Sequence, residues 1–111
     1  MTRAERAGAV FLALADPTRR EVLGLVGERG PLSATELAAE LPVSRQAVAK
    51  HLDALNAAGL VAAAREGRAV RFSVAPEALD DAVSWMVAVG DRWDRRLVAL
   101  HARAEARARQ K

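Results

Sequence analysis

Arg45, Gln46 and Lys50 follow Ser44 closely in the chain, and their types suit one chemistry, hydrogen bonding to the edges of bases. A glutamine amide pairs bidentately with adenine, and arginine or lysine donates to guanine. Three more arginines, Arg65, Arg68 and Arg71, crowd the segment around Gly67. Residues 44–75 carry 5 positive and 2 negative side chains, against 5 and 6 in 1–43 and 7 and 6 in 76–111. The excess of this +3 chain therefore lies in its middle third, which points to a polyanion partner. Each residue taken alone also suits an ordinary solvated face. Their placement on the elements decides between the two.

Other chemistries find less support. The chain has no cysteine, so it has no disulfide framework, thiolate metal site or cysteine nucleophile. His51 is accompanied by no Ser/His/Asp grouping, paired-acid motif or glycine-rich phosphate loop, and no enzyme is expected. His101, with Glu105 and Asp91 or Asp94, reads as a solvated helix face, so neither a metal nor a cofactor is expected. With 51% hydrophobic residues, the 111-residue chain can bury one core, and a single domain over 1–111 is expected. Its uncharged stretches fall short of the ~20 apolar residues of a membrane span. Met1–Arg6 lacks a signal-peptide layout, so the expected location is the cytoplasm, away from any membrane.

The elements that must position the basic residues can be read from spacing and caps. Ala7, Val10, Phe11 and Leu14 form one stripe of a helix over about 3–14. Asp16-Pro17 restarts the chain as N-cap and first helical residue, giving a helix to about Glu28. Ser33-Ala34-Thr35-Glu36 is a capping box that opens a short helix ended by Pro42. Ser44 caps a helix from Arg45 to Ala58, and Gly59 closes it in a left-handed conformation. The period then changes: Leu60–Arg65 and Ala69–Val74 flank Glu66-Gly67-Arg68 as a two-stranded hairpin. A long helix runs from Pro76 to about Arg103, with 104–111 as a frayed tail. The predicted class is mainly α with a β-hairpin, about five helices and a two-stranded wing.

Two short helices joined by a tight turn and followed by a basic hairpin make a winged helix-turn-helix, whose second helix enters the DNA major groove. With Val48 at the centre of the buried face, Gln46 lies at about 160°, Lys50 at about 200° and Asp53 at about 140° around the helix. They point away from the core. His51 lies about 60° from Val48, at the edge of the buried face, and suits a structural or phosphate-contacting role. The candidate contacts to double-stranded DNA are Ser44, Arg45, Gln46, Ala49, Lys50 and His51 on the helix and its cap. Arg65, Arg68 and Arg71 on the wing complete them.

The chain resembles the ArsR/SmtB family of small winged-helix repressors. The resemblance rests on Ala13–Arg19, Glu36-Leu37-Ala38, Val43–Leu52, Leu55–Val61 and Gly67-Arg68. It implies a homodimeric, sequence-specific repressor that binds an inverted-repeat operator, with the first and last helices at the dimer interface. The family's cysteine pair on the third helix is missing, since Glu36–Leu41 holds no sulfur, so the chain resembles the branch without metal ligands. The effector, metal or small molecule, stays unassigned. On the last helix, Leu79, Val83, Met86, Gly90, Trp93, Leu97, Leu100 and Ala104 alternate spacings of four and three, a helix-pairing seam. Together with Phe11, these residues from Leu79 to Leu100 are the candidate dimer surface. Part of that stripe must also pack on the first helix. Two alternatives remain: a metal-responsive repressor of the same family, and a winged helix used for protein assembly without DNA binding.

Overall fold

The computed structural model describes residues 1–110. Helix α1 (Arg3–Ala13) opens with Thr2, whose hydroxyl accepts from the Glu5 N–H while the Glu5 carboxylate accepts from the Thr2 N–H. This capping box, Thr2-x-x-Glu5, was readable in the sequence and was missed. Helix α2 (Pro17–Arg29) has Asp16 as N-cap and proline in its first turn, as expected. Helix α3 (Ala34–Ala38) carries the reciprocal Ser33–Glu36 box and stops well before Pro42, at Ala39. Helix α4 (Arg45–Ala57) is capped by the Ser44 hydroxyl, which accepts from the Ala47 N–H at 3.1 Å.

The end of α4 explains Gly59. The Gly59 N–H donates to the Asn56 carbonyl at 3.0 Å and the Leu60 N–H to the Leu55 carbonyl at 2.9 Å. This is the Schellman pattern, which requires a positive φ at its turning residue. Gly59 supplies it at 79°.

Strands β2 (Val61–Glu66) and β3 (Ala69–Val74) form the wing, with Val61 opposite Val74 and Glu66 opposite Ala69. The loop is therefore Gly67-Arg68 alone, because Glu66 belongs to the strand. Gly67 takes φ 63°, as a tight hairpin turn needs. The expectation of a two-stranded sheet needs correction. A third strand, β1 (Leu32–Ser33), pairs antiparallel with β3, Leu32 opposite Phe72 and Ser33 opposite Arg71, giving the order β1-β3-β2. Two residues are too short to show an alternating period, so only the neighbouring strand reveals them.

Helix α5 (Glu77–Arg109) has 33 residues and passes the expected end near Arg103. Residues 104–109 are helical where a frayed tail was expected; Lys111, the last of that stretch, lies outside the described residues. Among the described residues no helix is long and apolar enough to cross a membrane.

The core forms where α1, α2, α3, α4 and the base of the sheet meet. Val10, Val22, Leu37, Val48, Leu52, Leu55 and Leu60 are completely or almost completely buried. Leu32, Phe72 and Leu79 pack at its edge. Helix α5 joins through its first turns, with Ala82 buried. Arg3 and Arg6 of α1 both grip Asp81, at 3.1 and 2.9 Å. The remainder of α5 extends outward, and the molecule is 75 Å along its longest axis.

Candidate nucleic-acid interface

The basic helix is held from behind. Val48, Leu52 and Leu55 anchor α4 in the core, so its opposite face is turned to solvent. Arg45, Gln46 and Lys50 are exposed there, and Ala49 is half-buried between them. Among the described residues none of Arg45, Gln46 and Lys50 has a hydrogen-bonding or ionic partner within the chain. Their donors and acceptors are therefore free for an external one. Ser44 is exposed, but its hydroxyl oxygen is already engaged as the helix cap.

His51 is half-buried, and its Nδ1 accepts from the Arg19 Nε at 3.4 Å. Arg19 also donates to the Ala13 carbonyl at 3.3 Å, and its own N–H donates to the Asp16 carboxylate at 3.0 Å. That N–H chiefly holds the Asp16 carboxyl below its ordinary pKa, with His51 and Arg19 contributing charge. His51 therefore sits in a network that ties α4 to the start of α2, in keeping with a structural role.

The wing arginines divide. Neighbouring residues of a strand point to opposite faces. Arg65 lies opposite Val70, while Arg71 lies opposite Ala64, so Arg65 and Arg71 occupy different faces of the hairpin. Arg65 and Arg68 are exposed and carry no intrachain partner among the described residues. Arg71 is engaged: its Nε lies 3.3 Å from a Glu36 carboxylate oxygen and its Nη1 donates to Glu66 at 3.1 Å. That Nε is buried without a well-aligned hydrogen bond. Glu36 is pulled below its ordinary pKa first by the Ser33 N–H and hydroxyl and then by Arg71. Sequence reasoning grouped the three arginines; the structure gives Arg71 a different task, bracing the wing on α3.

An open cleft of about 510 Å³ joins the two elements. Arg45 from the start of α4 and Arg68 from the wing tip line it together, with Thr35 of α3 and Val70 of β3 between them. Thr35 and Val70 were not singled out beforehand. Val70 looked like part of the apolar inner face, yet it is 43% exposed because the wing extends past the core.

The candidate pairing surface lies elsewhere, on α5. Leu79 packs on the core, whereas Val83, Met86, Gly90, Trp93, Leu97 and Leu100 are exposed. Phe11 of α1 meets Trp85 edge-to-face, ring centres 5.5 Å apart, and remains partly open.

Comparison with known proteins agrees with this geometry. Residues 14–62, from the end of α1 into β2, match a family model described as a helix-turn-helix domain. The transcriptional repressor SdpR of Bacillus subtilis is 32% identical over 78 residues, 70% of this chain and 86% of SdpR. An ArsR-like transcriptional regulator from Rhodococcus sp. RHA1 superposes with a TM-score of 0.77 at 44% identity, covering 87% of this chain and 91% of its own. The cadmium metal-sensor CmtR of Mycobacterium tuberculosis superposes at 0.54 with 41% identity, covering 61% and 69%. These relatives are transcription regulators, a family without enzymatic activity. With its capped recognition helix, its basic wing and these relatives, the chain belongs to the ArsR/SmtB family of winged-helix, DNA-binding transcription regulators.

Proposed function

We propose that the protein is a homodimeric transcriptional repressor that reads an inverted-repeat operator. The observation that carries this reading is the shared cleft, where the unpartnered start of α4 and the unpartnered wing tip face one ligand from two sides. Gln46 and Lys50 read base edges in the major groove, and Arg45 acts at the helix N-terminus, where the helix dipole adds attraction for phosphate. Arg68 and Arg65 hold the flanking backbone. Arg71 and His51 position these contacts from within the fold.

One recognition helix reads only a few base pairs. A twofold dimer sets two of them in successive major grooves, roughly 34 Å apart, and so gains specificity. The half-open apolar residues along α5 supply the surface for that dimer. SdpR is a repressor, which supports the same regulatory sign. Among the described residues, no group of three His, Asp or Glu side chains converges as a metal site. The proposal therefore assigns no metal to repression. Selection of bound sequences from a random DNA pool, with sedimentation of the free protein, tests the reading. A palindromic motif and a dimer are expected; a motif without symmetry, or no enrichment, overturns it.

A further inference from the structure

Helix α5 carries two apolar rows that the rest of the chain leaves uncovered. Leu79, Met86, Trp93 and Leu100 recur every seven residues, and so do Val83, Gly90, Leu97 and Ala104. Such paired rows are the seam of a two-helix assembly. Trp93 is 57% exposed and Met86 49%, and every residue from Asp91 to Gln110 is exposed.

Gly90 is the anomaly in the seam. Glycine weakens a helix interior relative to alanine. A Cβ added at Gly90 would meet nothing within 4 Å, and its φ is not positive. Neither the backbone nor packing inside the chain asks for glycine there.

We propose that the α5 helices of two copies pair antiparallel, in the register that seats Trp93 of the partner subunit on Gly90. This rests on the homodimer reading above and adds its polarity and register. In antiparallel pairs each row faces the other row. One register then satisfies all four layers: Gly90 meets the partner's Trp93, and Ala104 meets the partner's Leu79. Val83 meets the partner's Leu100, and Leu97 meets the partner's Met86. The two small residues lie opposite large ones, as close packing requires. Parallel pairing would set each row on itself, crowding tryptophan on tryptophan in one layer and leaving glycine on glycine in the next.

Charge favours the same polarity. Residues 77–90 hold Glu77, Asp80 and Asp81 and no base, whereas 91–109 hold six arginines against three acids. Asp81 is already gripped by Arg3 and Arg6, which leaves Glu77 and Asp80. Antiparallel pairing lays the basic half of one helix along this acidic stretch of the other and brings His101 opposite the partner's Asp80. Parallel pairing would lay arginines along arginines.

The chain lacks cysteine, so introduced thiols report the register cleanly. Val83→Cys and Leu100→Cys protomers, mixed and oxidised, are expected to form a mixed disulfide, while neither variant alone cross-links. Dimers that cross-link Val83→Cys or Leu100→Cys to itself, or that give no mixed disulfide, overturn the register and leave the dimer reading standing. A wild type that sediments as a monomer at micromolar concentration overturns both. Gly90→Leu tests the packing separately, because leucine strengthens the isolated helix. It should weaken dimerisation about tenfold or more by overfilling the layer, and Trp93→Ala in the same chain should restore much of the loss. Unchanged dimerisation of Gly90→Leu, or no rescue, also overturns the proposal.

Discussion

Arg68 and Arg71 stand close together on one hairpin, yet the structure predicts opposite effects for their removal. Arg68 is exposed beside Gly67 in the two-residue loop and has no partner among the described residues. Its guanidinium can give a full contact to a DNA phosphate. Arg71 is spent on Glu36 and Glu66. Each phosphate contact adds about 0.9 to the slope of log affinity against log salt. Arg68→Ala should lower the slope by about 0.9 per subunit, about 1.8 for a dimer with both wings engaged. Between about 50 and about 200 mM salt, the wild type then loses roughly 3–4-fold more affinity per contact than the variant. Arg71→Ala should leave the slope near the wild-type value while lowering thermal stability, because it frees two carboxylates and unbraces the wing. Titrations by fluorescence anisotropy at four salt concentrations, on specific and unrelated DNA, measure both. An unchanged slope for Arg68→Ala refutes the reasoning, as does an equal drop for both variants.

Other outcomes follow from the same geometry. Gln46→Ala should cost about 1–3 kcal/mol on the selected operator and relax preference at one base pair, and Lys50→Ala should weaken specific binding; repeating the selection with each variant checks this. Trp93→Glu should give a folded monomer, since the side chain is 57% exposed within one chain and needs desolvation only in the pair; sedimentation and circular dichroism together check it, and an intact dimer counts against the seam. Glu36 has a folded-state pKa below its unfolded value, set first by the Ser33 N–H and hydroxyl and then by Arg71. Its contribution is therefore complete above the unfolded pKa and is lost as pH falls through the folded one. Glu36→Gln should accordingly destabilise the protein at neutral pH and converge with wild type in acid; parallel melting curves in both regimes would show otherwise if the carboxylate were idle.

Local chemistry made much of this protein legible from its sequence. Asp16-Pro17, Ser33-x-x-Glu36, Ser44 and Gly59 mark helix ends through hydrogen bonds between residues a few positions apart, and all four act where expected. The face of α4 was equally readable, because the 3.6-residue period that buries Val48, Leu52 and Leu55 must expose Gln46 and Lys50. Tertiary structure decided the rest. Strand β1 exists only because β3 offers it hydrogen bonds, and Val70 is exposed only because the wing extends past the core. Whether an arginine is free depends on which carboxylates the fold brings to it. Glu36 is far from Arg71 in sequence, and only the packing of α3 beside the wing takes that charge out of the interface while leaving Arg68 in it. Spacing along the chain reports which side of its own element a residue occupies; what it faces across space is set by the other elements.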